Sequence, residues 1–142
     1  MEMENEVFAF EVWPVWKPEW STVVNHRTAG KAKSEMFSDL RESYDLPFTD
    51  MRARKIGRPR TNSMFAHVAQ MRGMPELRCG QRVSFLSKGE SVSGVLVDAG
   101  GGANFGVLCD KDSIWPNQRI YVHPSELITD EKGELKCQNK TK

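Results

Sequence analysis

Cysteine is scarce in this sequence. Its three copies, Cys79, Cys109 and Cys137, are odd in number and far apart, so no disulfide framework is expected and a reducing cytoplasm is the natural setting. Long hydrophobic runs are missing too. None approaches the ~20 residues that a membrane-crossing helix requires, and no membrane partner is expected. The opening MEMENE is acidic with no apolar segment behind it, so no secretory leader is expected. Catalytic signatures are also absent. His26, His67, His123 and the cysteines make no CxxC or HxxxH pair, so neither a metal nor a cofactor is expected. Gly30-Lys31 lacks the GxxxxGK[ST] spacing of a phosphate loop. Asp110 and Asp112 lack the glycine and distal glutamate of a calcium loop and read as a solvated turn. Cys79 and His67 supply a nucleophile and a base, but no orienting third group accompanies them, and both read as structural. The chain is expected not to be an enzyme.

What is present is unevenly spread charge. The formal net charge is only +1, yet residues 1–25 hold five Glu against one Lys, and residues 52–78 hold seven Lys or Arg against one Glu. Either the two regions neutralise each other, or the basic one faces an external anion. The run from Arg52 to Arg60 contains no acidic residue at all.

Residues 7–16 alternate as a half-covered strand, with Phe8, Phe10 and Val12 on one face and Ala9, Glu11 and Trp13 on the other. Pro14 and Pro18 end it, and residues 21–24 can form a second short strand. Thr28 is placed to cap a helix whose apolar stripe is Ala32, Met36, Leu40 and Tyr44, with Phe37 beside it. Pro47 stops that helix. Residues 48–56 return as a strand carrying Asp50, Arg52 and Arg54 on one face. The first half, residues 1–62, thus reads as a β-α-β unit, with a right-handed crossover if the strands are adjacent and parallel. Residues 63–76 form a short helix, capped by Asn62 or Ser63, and a linker. Five short β-prone runs follow, at 82–86, 91–98, 104–110, 119–123 and 127–129, separated by glycine turns, which indicates a small barrel or sandwich. Residues 130–142 are polar, lack periodicity and read as a flexible tail.

Cys79-Gly80-Gln81-Arg82-Val83, Lys88-Gly89 and Ser93-Gly94-Val95-Leu96-Val97 carry a resemblance. Residues 77–129 resemble an SH3-like barrel of the KOW type. That resemblance implies five strands, with one glycine before the first and another where the second bends sharply. The Gly100-Gly101-Gly102 insertion and the 111–118 loop depart from it. The whole chain is similar in style to small bacteriophage-encoded proteins of unassigned role. The expected fold class is therefore α+β: a β-α-β unit, then a five-stranded SH3-like barrel.

Lys55-Ile56-Gly57-Arg58-Pro59-Arg60 resembles an AT-hook, whose Gly-Arg-Pro core lies extended in an A·T-rich minor groove. Ile56 departs from that pattern where a basic residue usually stands. The plain alternative is a solvated strand end. The expected function is a non-enzymatic, regulatory nucleic-acid-binding protein, on DNA or RNA. Arg52, Arg54, Lys55, Arg58 and Arg60 would contact phosphate, Lys31 and Lys33 would help, and Trp115, in a polar loop, would stack on a base. The rival is a phage-type inhibitor or adaptor that binds a host protein through barrel loops and tryptophans. Its setting would be the host cytoplasm.

Overall fold

A computed structural model of the chain describes residues 6–129. The first five residues, Cys137 and the expected tail lie outside the described residues. The described residues divide into two compact units, Glu6–Arg60 and a second that runs from Thr61 onward. The fold is mixed α+β, with two antiparallel sheets and two α-helices among the described residues. No helix among the described residues is long and apolar enough to cross a membrane.

The unit Glu6–Arg60 is built on three strands, β1 (Phe8–Pro14), β2 (Thr22–His26) and β3 (Met51–Gly57), in the order β2-β1-β3. One helix, α1 (Ala29–Leu40), covers one face. Its N-cap is the expected one, with the Thr28 hydroxyl accepting the Lys31 N–H at 3.2 Å. Ala32 and Met36 then meet Phe10, Val12, Leu46 and Met51 in one apolar cluster, which is the helical stripe docking on the inward set of the strand alternation. The expected β-α-β arrangement needs correction. β2 and β3 each pair antiparallel with β1. They therefore run the same way, but β1 lies between them. The first strand fills the centre of the sheet because it carries the most continuous apolar set, and a central strand is covered on both flanks.

The helix also stops earlier than expected. It ends at Leu40, and Ser43 and Tyr44 both donate to the Leu40 carbonyl, at 3.0 and 2.9 Å. Tyr44 leaves the stripe and is exposed. A single 3-10 turn, Phe48–Asp50, precedes β3 where strand was expected.

The second unit opens with α2 (Ser63–Met71), capped by Asn62 Oδ1, which accepts the Phe65 N–H at 2.8 Å. The five expected strands are all present: β4 (Arg82–Ser87), β5 (Glu90–Gly100), β6 (Asn104–Cys109), β7 (Arg119–Val122) and β8 (Ile128–Thr129). Their order is β7-β6-β5-β4-β8. The edge strands β7 and β8 do not pair with each other, so the sheet is open where a closed barrel was expected. Phe65, Val68 and Ala69 of α2 pack with Val83, Leu96, Phe105 and Val107, so the helix belongs to this unit's core. Gly94 is required where β5 and β6 approach, since a Cβ there would lie 2.4 Å from the Leu108 carbonyl oxygen. Asp110 is a second correction. It is buried, and Arg82 grips it with two hydrogen bonds of 3.1 and 2.7 Å.

Candidate nucleic-acid interface

The basic run occupies β3 and the loop after it. β3 is an edge strand: β1 pairs with one side, and no strand among the described residues pairs with the other. Arg52 lies opposite Trp13, and Arg54 opposite Glu11. Facing cross-strand residues share a face, so both arginines stand on the side away from α1. They are about 6.7 Å apart along the strand.

Each cation is held differently. Arg54 pairs with the Glu11 carboxylate. The Arg54 hydrogen bond, helped by Ser21 and by the nearby Arg60 charge, holds Glu11 below the usual carboxylate range. The acidic and basic regions therefore do meet, at the Arg54–Glu11 pair. Arg52 folds back, its Nη1 donating to the Thr49 and Met51 carbonyls at 2.7 and 3.0 Å. Lys55 lies on the other face, with Nζ 3.7 Å from the centre of the Phe8 ring, a cation–π contact. The chain turns at Gly57, whose φ of +131° favours glycine. Beyond it, Asn25 latches the Arg60 backbone through two hydrogen bonds of 2.9 Å. The side chains of Arg52, Arg54, Lys55, Arg58 and Arg60 all remain exposed.

The expected helpers separate. Lys33 lies near the start of β3, its Nζ 5.5 Å from the centre of the Phe48 ring. Arg52, bound to the Thr49 carbonyl, flanks the same turn. Lys31 is exposed in the first turn of α1, where its backbone N–H serves the Thr28 cap. Trp115 departs from the expectation of an open stacking ring. It is half-buried against the core of its own unit, with Nε1 donating to Ser87 Oγ at 3.1 Å and Lys88 Nζ 5.2 Å from the ring centre.

Trp16 and Trp20 stand close together in the sequence, but their third partner, Tyr44, was not anticipated from it. Trp16, Trp20 and Tyr44 form a cluster with ring centres 5.4, 6.3 and 5.1 Å apart, in tilted and edge-on pairs. Trp16 and Tyr44 are each 44% exposed. The signal was obscured because Tyr44 falls at the next position of the helical stripe. Its departure depends on where α1 ends.

No family model matches the chain, and neither a curated protein nor a solved structure matches it.

A second polar constellation lies in the C-terminal unit. Asp98 Oδ2 accepts from Arg119 Nη1 at 3.0 Å and from the Tyr121 hydroxyl at 3.2 Å. Its Oδ1 is buried without a hydrogen-bond partner. Burial pushes the Asp98 carboxyl above its usual range, against the opposing pull of Arg119 and Tyr121. Gly106 makes room for it, since a Cβ there would stand 2.1 Å from Oδ1. Burial, with the Asp98 charge adding to it, raises the Cys79 thiol to about 12. His67 is exposed on α2. The cysteine is thus protonated at neutral pH and lacks the electropositive surroundings of a nucleophile. Among the described residues, no group of three or more His, Cys, Asp or Glu is placed to hold a metal ion.

Proposed function

We propose that this chain is a non-enzymatic, regulatory nucleic-acid-binding protein that contacts the phosphate backbone of DNA or RNA through β3 and the loop to Arg60. The observation that carries this reading is the exposure of all five cations of the run, including Arg54, which is already paired. Aligned exposed cations displace counterions from a polyanion, and that release drives sequence-independent binding. The Asn25 latch favours phosphate contact over minor-groove reading. It occupies both backbone groups of Arg60, whereas an AT-hook arm must lie free and extended. The site of action is the cytoplasm, that of the host if the chain is phage-encoded.

The finer fold reading belongs here as well. We read the C-terminal sheet as an unclosed relative of the SH3-like, KOW-type barrels. The order β7-β6-β5-β4-β8, which returns the last strand beside the first, supports it. So do Gly80 at φ +98° before β4 and the close approach at Gly94.

The test is fluorescence anisotropy with labelled nucleic acid across a salt series. If about four phosphates are contacted, log affinity falls with log salt at a slope of roughly −3 to −4. Arg58→Glu combined with Arg60→Glu should weaken binding at least about ten-fold. Glu11→Gln removes the carboxylate beside Arg54 and should strengthen it. Salt-independent affinity, or a charge-reversed variant that binds unchanged, overturns the reading. No binding at all favours the rival, an inhibitor or adaptor on a host protein.

A further inference from the structure

We infer that the ligand is a single strand, with its bases stacked on the Trp16–Trp20–Tyr44 cluster while its phosphates follow the basic strand; this rests on the proposed phosphate contacts. The argument begins with where the cluster stands. Pro14 pairs with Met51, and the Val15 N–H donates to the Asp50 carbonyl at 2.8 Å. The chain therefore leaves β1 and enters the Trp16 turn beside the start of β3. The first cation of the run, Arg52, is at that same end. Its guanidinium folds towards it, onto the Thr49 carbonyl. A backbone running along Arg60, Arg58 and Arg54 to Arg52 thus ends at the edge of the sheet where the Trp16 turn begins, and would pass round that edge to the rings, since Trp20 packs on the α1 side.

The rings themselves suit a base. Trp16 and Trp20 meet at 70° and Trp20 and Tyr44 at 53°. Tilted and edge-on packing braces each ring against a neighbour while Trp16 and Tyr44 stay 44% exposed. Such bracing is pre-organisation: two aromatic side chains are held in place before a ligand arrives. A duplex keeps its bases stacked on each other and cannot offer a face to the platform. An unpaired strand can, and stacking is tolerant of sequence because every base has a π-face. Lys17 lies over Trp20, 5.8 Å from the ring centre, and is paired with Glu19 at 3.2 Å, and Arg41 lies over Phe37 at 5.9 Å.

The experiment compares a labelled oligothymidylate of about twelve nucleotides, within the span of small single-strand binders, with a duplex of equal length. It uses the full chain at low salt. The oligothymidylate should bind tighter than the duplex and quench tryptophan fluorescence. Trp16→Ala with Tyr44→Ala should lower its affinity by about ten-fold or more and leave duplex affinity within about two-fold, since phosphate contacts carry that term. Trp16→Phe keeps a ring and should retain most single-strand affinity, which separates stacking from damage to the fold. If these aromatic variants bind oligothymidylate as the parent does while Arg58→Glu with Arg60→Glu does not, the platform is overturned and the phosphate reading stands. If neither probe binds the parent chain, both fall.

Discussion

Asn25 treats Arg60 as a neighbouring strand would. Its Nδ2 donates to the Arg60 carbonyl and its Oδ1 accepts the Arg60 N–H, each at 2.9 Å, across 35 residues of sequence. One side chain therefore ends the basic segment at a fixed point. Asn25 is itself buried, so the lost partners are not readily replaced by water. Asn25→Ala should lower stability by about 1–3 kcal/mol, read as a reduced denaturant midpoint. The Arg60 amide should lose its protection in hydrogen exchange. Unaltered Arg60 exchange would show that the loop holds its path without the latch.

Gly106 and Asp98 share one space. A methyl group on Gly106 would overlap Asp98 Oδ1 and crowd the Tyr121 ring at 3.1 Å. Gly106→Ala should therefore cost about 1–3 kcal/mol as overpacking, measured by thermal unfolding. Adding Asp98→Ala removes the carboxylate and should recover part of that loss. Additive losses would place the strain elsewhere.

Asp98 also sets a pH dependence. Its folded value is raised because burial outweighs the attraction of Arg119. A raised carboxylate favours folding below its unfolded pKa, and that contribution is lost as pH rises through the folded value. Asp98→Asn keeps one oxygen for Arg119 and Tyr121 and removes the half-buried charge. It should raise Tm at neutral pH and leave Tm little changed near pH 3. Equal melting shifts at both pH values would refute this.

Cys79 should be inert. With its thiol raised to about 12, and Cys109 also buried, neither should react with a thiol reagent at pH 7 in the folded chain. In a Cys137→Ser background, both should label on denaturation. Rapid labelling of the native protein would mean that the C-terminal core opens readily.

Local rules predicted much of this fold. The Thr28 and Asn62 caps, the alternation of β1 and the five C-terminal strands each depend on neighbours within a few residues, and each was readable. Partners distant in sequence were not. Nothing local places β1 between β2 and β3, pairs Arg82 with Asp110 across 28 positions, or sets Gly106 against Asp98. For the site, the basic run 52–60 was visible as a stretch of sequence, but whether it faced water or the acidic first strand was not. Nor was the fate of single side chains. Trp115 turned inward because Ser87 receives its N–H, and Tyr44 turned outward because α1 ends at Leu40.

The arginines of β3 have a consequence beyond ligands. An edge strand offers backbone groups that a strand of another chain can extend, and charge along it keeps copies apart. Replacing Arg52 and Arg54, with Arg58 just beyond the strand, by neutral residues would remove that repulsion and weaken any phosphate contact. Such variants should become concentration-dependent in light scattering, whereas charge reversal to Glu should leave the chain dispersed. The same side chains that would draw in a polyanion thus keep the sheet from growing into an aggregate.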